Sequence, residues 1–232
     1  MRPVFDHTVA RRYDAFCSTP LGTYVDAVER SLLLPLLELH PGLRVADLGC
    51  GTGAYTILLA NAGCRVLGVD ASDAMLSVAR QKPAPAGLVE WVRGDVQSLA
   101  LDDATFDRVL VQVTLEFVHH PQRALHEAWR LVRPSGLLVV GCILAHGPWA
   151  EHYRRRACHE PTSVWRHARF WTPTALADWI GREPERVDYG LWVAPHEFTD
   201  PDTAWLWERN RATAPGAFPA SFAAVRWTRP RA

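Results

Sequence analysis

The hydrophobic positions of the 232-residue chain follow two spacings, one typical of helices and one typical of buried strands. Up to about residue 40 the spacing is helical, and one apolar stripe runs through Val25, Val28, Leu32 and Leu36. Short apolar runs then predict strands at residues 44–49, 65–69, 88–92, 108–113 and 137–143. Helical patterns alternate with these strands at residues 55–62, 72–81 and 122–132.

Continuous apolar strands that alternate with helices are typical of a parallel sheet covered on both faces. We therefore predict a doubly wound α/β fold, in a single domain over residues 1–232, with residues 1–40 as a helical cover. The last part of the chain adds helices at 173–180 and near 203–211, and strands at 186–193 and 222–227. Seven strand candidates result. Sheets of this kind bind ligands beyond the carboxyl ends of their strands.

Composition and charge exclude several classes of protein. The chain is 48% hydrophobic and 22% charged with a formal net charge of zero, so nothing predicts a nucleic-acid partner. The longest apolar run, residues 136–145, is half of a membrane span, and the first residues lack the apolar core of a signal peptide. Five cysteines without CxxC spacing indicate neither disulfides nor zinc. We expect a cytoplasmic protein without a membrane span or a metal.

The stretch "VADLGCGTGAY", residues 45–55, places three glycines directly after the first predicted strand. Read from Gly49 as G-x-G-x-x-A, it nearly matches the dinucleotide fingerprint. Read from Asp47 as D-x-G-x-G-x-G, it matches the cofactor loop of S-adenosylmethionine (SAM) enzymes. Asp47 favours the second interpretation, because a carboxylate beside a pyrophosphate costs electrostatic energy, whereas SAM carries a sulfonium and an ammonium.

Two further aspartates lie at the ends of neighbouring strands. Asp70 ends the second predicted strand and suits the ribose hydroxyls of NAD and of SAM equally well. Asp95, in "RGDVQSL", follows the third strand, where a carboxylate can accept a hydrogen bond from an adenine amino group. A turn or helix-start aspartate is the alternative interpretation of Asp95.

Taken together, "VADLGCGTG", "GVDASDAML" and "RGDVQSL" resemble the class I SAM-dependent methyltransferases, most closely the ubiquinone/menaquinone-biosynthesis type. The resemblance covers about residues 5–141, and "LEFVHHPQRALHEAWRLVRPSGLLVVG" is similar to the family's fourth strand, helix and fifth strand. It implies a Rossmann-like, mostly parallel seven-stranded sheet whose last strand is antiparallel. The implied activity is the in-line transfer of a methyl group from SAM to an acceptor.

The resemblance also implies which residues contact SAM. The glycine loop would surround its methionine part, Asp70 would bind the ribose, and Asp95 with Val96 would face the adenine. Tyr13, in "ARRYDAF", would cover the cofactor, unless it only packs on the core. The full set of cofactor residues implied is Tyr13, Asp47, Gly49, Cys50, Gly51, Gly53, Asp70, Ala71, Met75, Asp95, Val96, Val113 and Thr114.

We predict a small-molecule acceptor. The Asn/Asp-Pro-Pro-aromatic signature common in amino-methylating enzymes of nucleic acids is replaced here by "TLEFVHHP". Between residues 146 and 171 the strand–helix alternation breaks, which predicts a lid inserted after the fifth strand. An amphipathic helix with its aromatic residues in the core is the alternative. The candidate acceptor-site residues are Trp149, Tyr153, Trp165 and Trp171.

His119 and His120 are the candidate general bases, for an acceptor that arrives protonated. Both follow the fourth strand, and an unperturbed imidazole titrates near pH ~6.5. The chain departs from the family here, which often has "EHVPDP" at this place. A helix N-cap at His120, with Pro121 in the first helical position, is the alternative interpretation.

Two other functions stay open from the sequence. An NAD(P)-dependent oxidoreductase would need a catalytic Tyr-x-x-x-Lys or an equivalent, and Lys82, the only lysine, lies in an unsuitable "QKPAP" stretch. A SAM-binding protein without transferase activity would carry the same binding motifs.

Overall fold

The computed structural model describes residues 4–214 and 216–231, in which a seven-stranded sheet carries helices on both faces. The strands are β1 (Arg44–Leu48), β2 (Arg65–Asp70), β3 (Val89–Arg93), β4 (Phe106–Gln112), β5 (Val132–Ile143), β6 (Arg186–Gly190) and β7 (Phe222–Thr228). The helices are α1 (His7–Cys17), α2 (Pro20–Leu37), α3 (Ala54–Asn61), α4 (Asp73–Ala79), α5 (Pro121–Leu131), α6 (Pro148–His159), α7 (Pro173–Ile180) and α8 (Pro201–Ala212), with a 3-10 turn at Val164–His167. In this described part of the chain, no helix has the length and apolar character needed to cross a membrane.

The strand order is β3-β2-β1-β4-β5-β7-β6, which is a doubly wound arrangement. The strands β1 to β5 pair in parallel, and β7 is antiparallel to both of its neighbours. The predicted fold class is confirmed, including the antiparallel last strand. Winding reverses between β1 and β4, and the crevice at their carboxyl ends is where such sheets bind ligands.

The central strands are buried because helices cover both faces of the sheet. Val45 of β1, Val109 of β4 and Val139 of β5 are fully buried. Helices α2 and α3 contribute to the core on one face, and α5 and α7 to the core on the other. This double cover explains why the strands are continuous apolar runs rather than alternating ones.

The N-terminal cover consists of two helices, whereas the pattern predicted helix throughout. The break lies at Thr19, whose side chain caps α2 by accepting the Gly22 N–H at 3.0 Å, and Pro20 takes the first helical position. The predicted stripe on α2 packs on the core. Leu32 is partly buried in it, and three members are fully buried: Val25, Val28 and Leu36.

Some boundaries differ from those predicted. Strand β6 ends at Gly190, short of residue 193, because Leu191 is left-handed with φ of 54°. Helix α8 begins at Pro201 rather than near 203, because Asp200 caps it by accepting the Thr203 N–H at 2.9 Å. Strand β5 begins at Val132 rather than at 137.

Candidate active site

A cavity of about 760 Å³ opens at the carboxyl ends of β1, β2 and β4, within the usual size range of ligand sites. Its wall has two parts of different construction. The loop half is lined by Asp47, Gly49, Cys50, Gly51, Thr52, Asp70, Ala71, Met75, Asp95, Val96, Gln97, Val113 and Thr114. The helix half is lined mainly by Arg12, Tyr13, Tyr55, Gln112, Phe117, Tyr153, Arg156, Ser163 and Trp165.

The glycine loop after β1 needs its glycines for two different reasons. Gly49, Gly51 and Gly53 all have positive φ, at 80°, 55° and 83°. A Cβ at Gly49 would lie 2.3 Å from the side chain of Thr114, and one at Gly53 would lie 2.4 Å from Trp91. A Cβ at Gly51 would meet nothing within 4 Å. Gly49 and Gly53 are therefore required by packing within the protein, and Gly51 only by its conformation.

Asp70, at the end of β2, is held in one orientation by two backbone donors. The Gly51 N–H donates to its Oδ2 at 2.9 Å, and the Ser72 N–H donates to its Oδ1 at 2.8 Å. Burial raises the pKa of Asp70, and these N–H groups act in the opposite direction. The result is a fixed carboxylate on the cavity wall, suited to accept hydrogen bonds from two hydroxyls.

Asp47, at the end of β1, is 2% exposed although it lines the cavity. The Thr56 hydroxyl donates to its Oδ2 at 2.5 Å. Burial raises the pKa of Asp47 to about 6, and the Thr56 hydrogen bond opposes that rise. A cationic group placed beside Asp47 would favour its ionised form.

Asp95 follows β3 and is exposed. Gln97 orients it, because Gln97 Nε2 donates to Asp95 Oδ1 at 2.8 Å. The Gln97 carbonyl oxygen accepts the backbone N–H of His120 at 2.7 Å. Gln97 thereby joins the loop after β3 to the start of α5.

The end of β4 carries a backbone outlier at the centre of the cavity wall. Val113 has φ of 45°, and a β-branched residue rarely adopts this left-handed conformation. Pairing of β4 with β5 holds Val113 in this conformation, since the Val113 N–H donates to the Gly141 carbonyl at 2.9 Å. Thr114 then donates from its hydroxyl to the Leu48 carbonyl at 3.0 Å, which fixes the end of β4 to the end of β1.

Asp14 connects helix α1 to the glycine loop through a hydrogen bond and to Lys82 through an ion pair. The Thr52 hydroxyl donates to Asp14 Oδ1 at 2.6 Å, and Lys82 forms an ion pair with Oδ2 at 2.9 Å. These bonds place Tyr13 of the same helix on the cavity wall, with its side chain 42% exposed.

An aromatic stack forms the outer wall of the helix half. Tyr153 of α6 and Trp165 of the 3-10 turn lie face to face, with ring centroids 3.6 Å apart and planes 17° from parallel. Phe117 adds a third ring, 5.4 Å from Trp165. All three line the cavity, so it combines a polar half with an aromatic one.

Comparison with known proteins shows the family to which this chain belongs. Residues 46–140 match the family described as "Methyltransferase domain". The demethylmenaquinone methyltransferase of Beutenbergia cavernae is 34% identical over 182 residues, which cover 78% of this chain and 70% of that protein. The chain belongs to the class I SAM-dependent methyltransferases.

Other relatives match over only part of their length, and a solved structure shares the fold. The malonyl-[acyl-carrier protein] O-methyltransferase of Pectobacterium atrosepticum is 35% identical over 119 residues, covering 51% of this methyltransferase and 46% of the relative. The chain spans only 33% and 40% of the length of two other curated relatives. A Thermotoga maritima structure titled as a SAM-dependent methyltransferase, possible histamine N-methyltransferase, shares the fold with TM-score 0.71, 23% identity and 97% coverage of both chains.

The loop half of this methyltransferase fits SAM, which is the methyl donor of the family. Asp70 presents two oriented oxygens to which ribose hydroxyls could donate, and the Asp47 carboxylate on the same wall could pair with an ammonium. An NAD pyrophosphate would instead meet the carboxylate of Asp47. Every residue predicted to contact SAM lines this cavity except Gly53. At Gly53, the Trp91 side chain occupies the space that a Cβ would take.

Two of the four residues predicted for the acceptor site line the cavity, and two do not. Tyr153 and Trp165 line the cavity, whereas Trp149 and Trp171 do not. Trp149 is 2% exposed and its Nε1–H donates to the Val193 carbonyl at 2.9 Å, so it anchors α6 in the core. Trp171 packs edge to face on Trp179, with ring centroids 4.8 Å apart. Trp149 therefore packs in the core, as the alternative interpretation expects, and Trp171 packs against α7 outside the cavity.

The two histidines also occupy different environments. His119 is exposed and lines the cavity, and Arg169 donates to its carbonyl at 2.8 Å. His120 stands outside the cavity lining, at the N-cap position of α5, where its side chain makes no capping bond. Pro121 takes the first position of α5, as the helix-cap interpretation expects.

Sequence reasoning missed Glu29 and Gln112. Gln112, the last residue of β4, donates from Nε2 to Oε2 of Glu29 at 2.6 Å. Glu29 of α2 is 9% exposed, and burial raises its pKa to about 8. The available signal was a charged residue four positions after Val25, on the buried side of an amphipathic helix.

Metal-binding side chains do not gather in the described residues. Within 4–214 and 216–231, no three His, Cys, Asp or Glu side chains lie together as a metal site requires. The histidines of residues 146–167 are spread along α6 and the 3-10 turn instead. The absence of a metal stays a prediction from spacing.

Proposed function

We propose that this methyltransferase transfers the methyl group of SAM to a small-molecule acceptor bound in the helix half of the cavity. The observation that carries the proposal is that one cavity joins the two halves. Fixed carboxylates for the ammonium and ribose line one half, and stacked aromatic rings line the other. The zero net charge favours a small molecule over a nucleic acid as acceptor.

The main contribution of the protein to this reaction is to align the methyl donor with the acceptor. SAM supplies a methyl group on a sulfonium, whose bond to carbon breaks as the acceptor atom attacks in line and the electron pair stays on sulfur. Loop residues at β1, β2 and β3 hold the donor, and the helix half orients the acceptor and excludes water. The end of β4 contributes to both halves, with Gln112 in the helix half and Val113, held by its bond to Gly141, in the loop half.

The relatives support an organic acceptor of modest size. Their names give demethylmenaquinone in one case and a malonyl group carried by a protein in another. The Tyr153–Trp165 stack favours an acceptor with an aromatic or apolar face. Cytoplasmic action fits the five cysteines, which are all free in the described structure.

The mobile lid that we propose is shorter than the predicted segment of residues 146–171. Helix α6 is anchored in the core by Trp149, so its first half is not a moving part. Half of residues 160–167 are exposed, and the segment carries Trp165, which is partly buried. We expect slower amide hydrogen exchange in 160–167 when S-adenosylhomocysteine (SAH) is bound and no change at Trp149. Equal protection in both states would leave the segment as ordinary packing.

His119 is the proposed general base for an acceptor that arrives protonated. Its Ala variant should keep the affinity for SAH while turnover of the acceptor falls about 100-fold. His120→Ala is the matched control, because His120 lies outside the cavity lining. Normal turnover in both variants would remove the histidines from the mechanism.

Calorimetry tests the donor, and product formation tests the transfer. We expect SAH to bind and NADH not to bind. Incubation of SAM with candidate aromatic acceptors should release SAH only when an acceptor is present. NADH binding without SAH binding would contradict the proposal, and SAH binding without transfer to any acceptor would leave a SAM-binding protein.

A further inference from the structure

Gln112 lines the cavity, and its side-chain amide is hydrogen-bonded to the buried acid Glu29. Its Nε2 donates to Glu29 Oε2 at 2.6 Å, across 83 positions of sequence. Among the described residues, no donor reaches the other end of this amide, the carbonyl oxygen Oε1. A cavity-lining amide is thus fixed at its N–H end and unpaired at its oxygen.

The chemistry of Glu29 decides which end of the amide it holds. An ionised carboxylate only accepts hydrogen bonds, so it pairs with the NH₂ group and turns the carbonyl oxygen away. A neutral carboxyl can also donate, and would tolerate the amide in either orientation. Ionised Glu29 therefore fixes Gln112 with a hydrogen-bond acceptor on its far side.

Tyr55 adds a second polar group to the same wall. Its side chain is 7% exposed, and its hydroxyl has no hydrogen-bond partner among the described residues. The ring lines the cavity, and the hydroxyl lies in the field of Glu29, which adds to burial in raising the pKa of Tyr55. Buried hydroxyls are nearly always paired, so the Tyr55 hydroxyl is an unusual polar group in this part of the wall.

We propose that Gln112, oriented by Glu29, binds a hydroxyl or amino group of the methyl acceptor and aligns it for transfer. The inference rests on the proposed function and adds the chemical class of the acceptor, a molecule with an O–H or N–H next to an apolar face. Gln112 contacts the acceptor, and Glu29 is a positioning residue.

The orientation of Gln112 depends on pH through Glu29. Burial raises the pKa of Glu29 to about 8, with Asp26 and Glu116 acting in the same direction and Arg30 opposing them. The other groups whose charges interact with Glu29 across the packed elements are Tyr13, Cys17, Tyr55 and Tyr153. The carbonyl of Gln112 is therefore held toward an acceptor more strictly as the pH rises through about 8.

The first experiment follows the Gln112 side-chain amide by NMR in the protein with SAH bound, assigned by its loss in Gln112→Met. We expect its ¹H and ¹⁵N signals to shift with pH, with a midpoint near 8, and the shift to vanish in Glu29→Gln. A signal that does not titrate, or that still titrates in Glu29→Gln, overturns the positioning role. This readout needs no acceptor.

The second experiment compares phenol with anisole, which has the same ring but no O–H, in the SAH complex. We expect phenol to bind about fivefold more tightly above pH 8, the scale of one buried hydrogen bond. The preference should disappear in Gln112→Met and persist in Gln122→Met, a substitution at an exposed glutamine of α5. Should Glu29→Gln fail to fold, Gln112→Met still decides the result.

The outcomes separate this inference from the proposed function. A protein that does not bind SAH contradicts the proposed function. A protein that binds SAH but binds phenol no better than anisole, or does not bind phenol at all, overturns the acceptor role of Gln112 and leaves the proposed function standing.

Discussion

The loop half and the helix half of the cavity are built in different ways. In the loop half, Thr56 holds Asp47 from 9 positions away, and Asp70 is held by Ser72, 2 positions away, and by Gly51, 19 positions away. In the helix half, Gln112 and Glu29 meet across 83 positions, and the aromatic wall joins α6 to a later turn. The two carboxylates of the loop half are therefore held by contacts that are short along the chain, whereas the polar and aromatic groups of the helix half are brought together only by the tertiary fold.

The largest effect is expected from forcing a side chain into the loop half. Gly49→Ala combines a left-handed conformation with a Cβ 2.3 Å from Thr114, so the free energy of unfolding should fall by about 3 kcal/mol. Gly51→Ala, with open space around its Cβ, should lose only about 1 kcal/mol. Urea denaturation measures both. Equal losses would show that packing against Thr114 does not define this loop.

Removing one carboxylate should weaken donor binding without touching the helix half. Asp70→Ala leaves the ribose hydroxyls and the Gly51 N–H unpaired, so SAH binding should weaken by about 1–3 kcal/mol. Asp73→Ala is the matched control, since Asp73 is exposed in an ion pair with Arg93. Calorimetry of SAH measures the two affinities. A similar loss in both variants would remove the specific role of Asp70.

The buried acid of the loop half predicts a pH dependence of donor binding. Burial raises the pKa of Asp47 to about 6, and the ammonium of SAH favours its ionised form. Affinity should rise with pH through about 6, with about a tenfold difference between pH 5 and pH 7. Asp47→Asn should flatten this dependence. A dependence that persists in the variant would assign it to another group.

The same raised pKa has the opposite sign for the stability of the free protein. An unfolded Asp47 ionises near pH ~4, so the folded state holds the extra proton between about pH 4 and pH 6. The contribution of Asp47 to stability therefore decreases as the pH rises through this window. Thermal denaturation of the wild type and Asp47→Asn across that range measures the difference.

The smallest effect should come from the aromatic wall, and should be confined to the acceptor. Trp165→Leu removes the stack on Tyr153, so phenol binding to the SAH complex should weaken about fivefold while SAH affinity stays unchanged. Trp171→Leu removes a comparable aromatic pair outside the cavity and should not affect phenol binding. Ligand-observed NMR measures both. Loss of SAH affinity in Trp165→Leu would show that the halves are not independent.

The same contrast explains what the sequence could predict. The fold and the loop half followed from apolar runs and from motifs in which Asp47, the glycines and Asp70 lie close along the chain. Trp149 and Trp171 were misplaced because aromatic clustering in sequence does not distinguish a cavity wall from the core. Glu29 is conspicuous as a charge on the buried side of α2, but no local feature of that helix predicts its hydrogen bond with Gln112.

The division of the cavity is tested most directly by a crystal structure of the complex with SAH. We expect the adenosine to lie against Asp70, Met75 and Asp95, with open space beside the sulfur that is bounded by Gln112, Tyr153 and Trp165. SAH lying along the aromatic wall, or filling the space in front of Gln112, would contradict the assignment of the two halves.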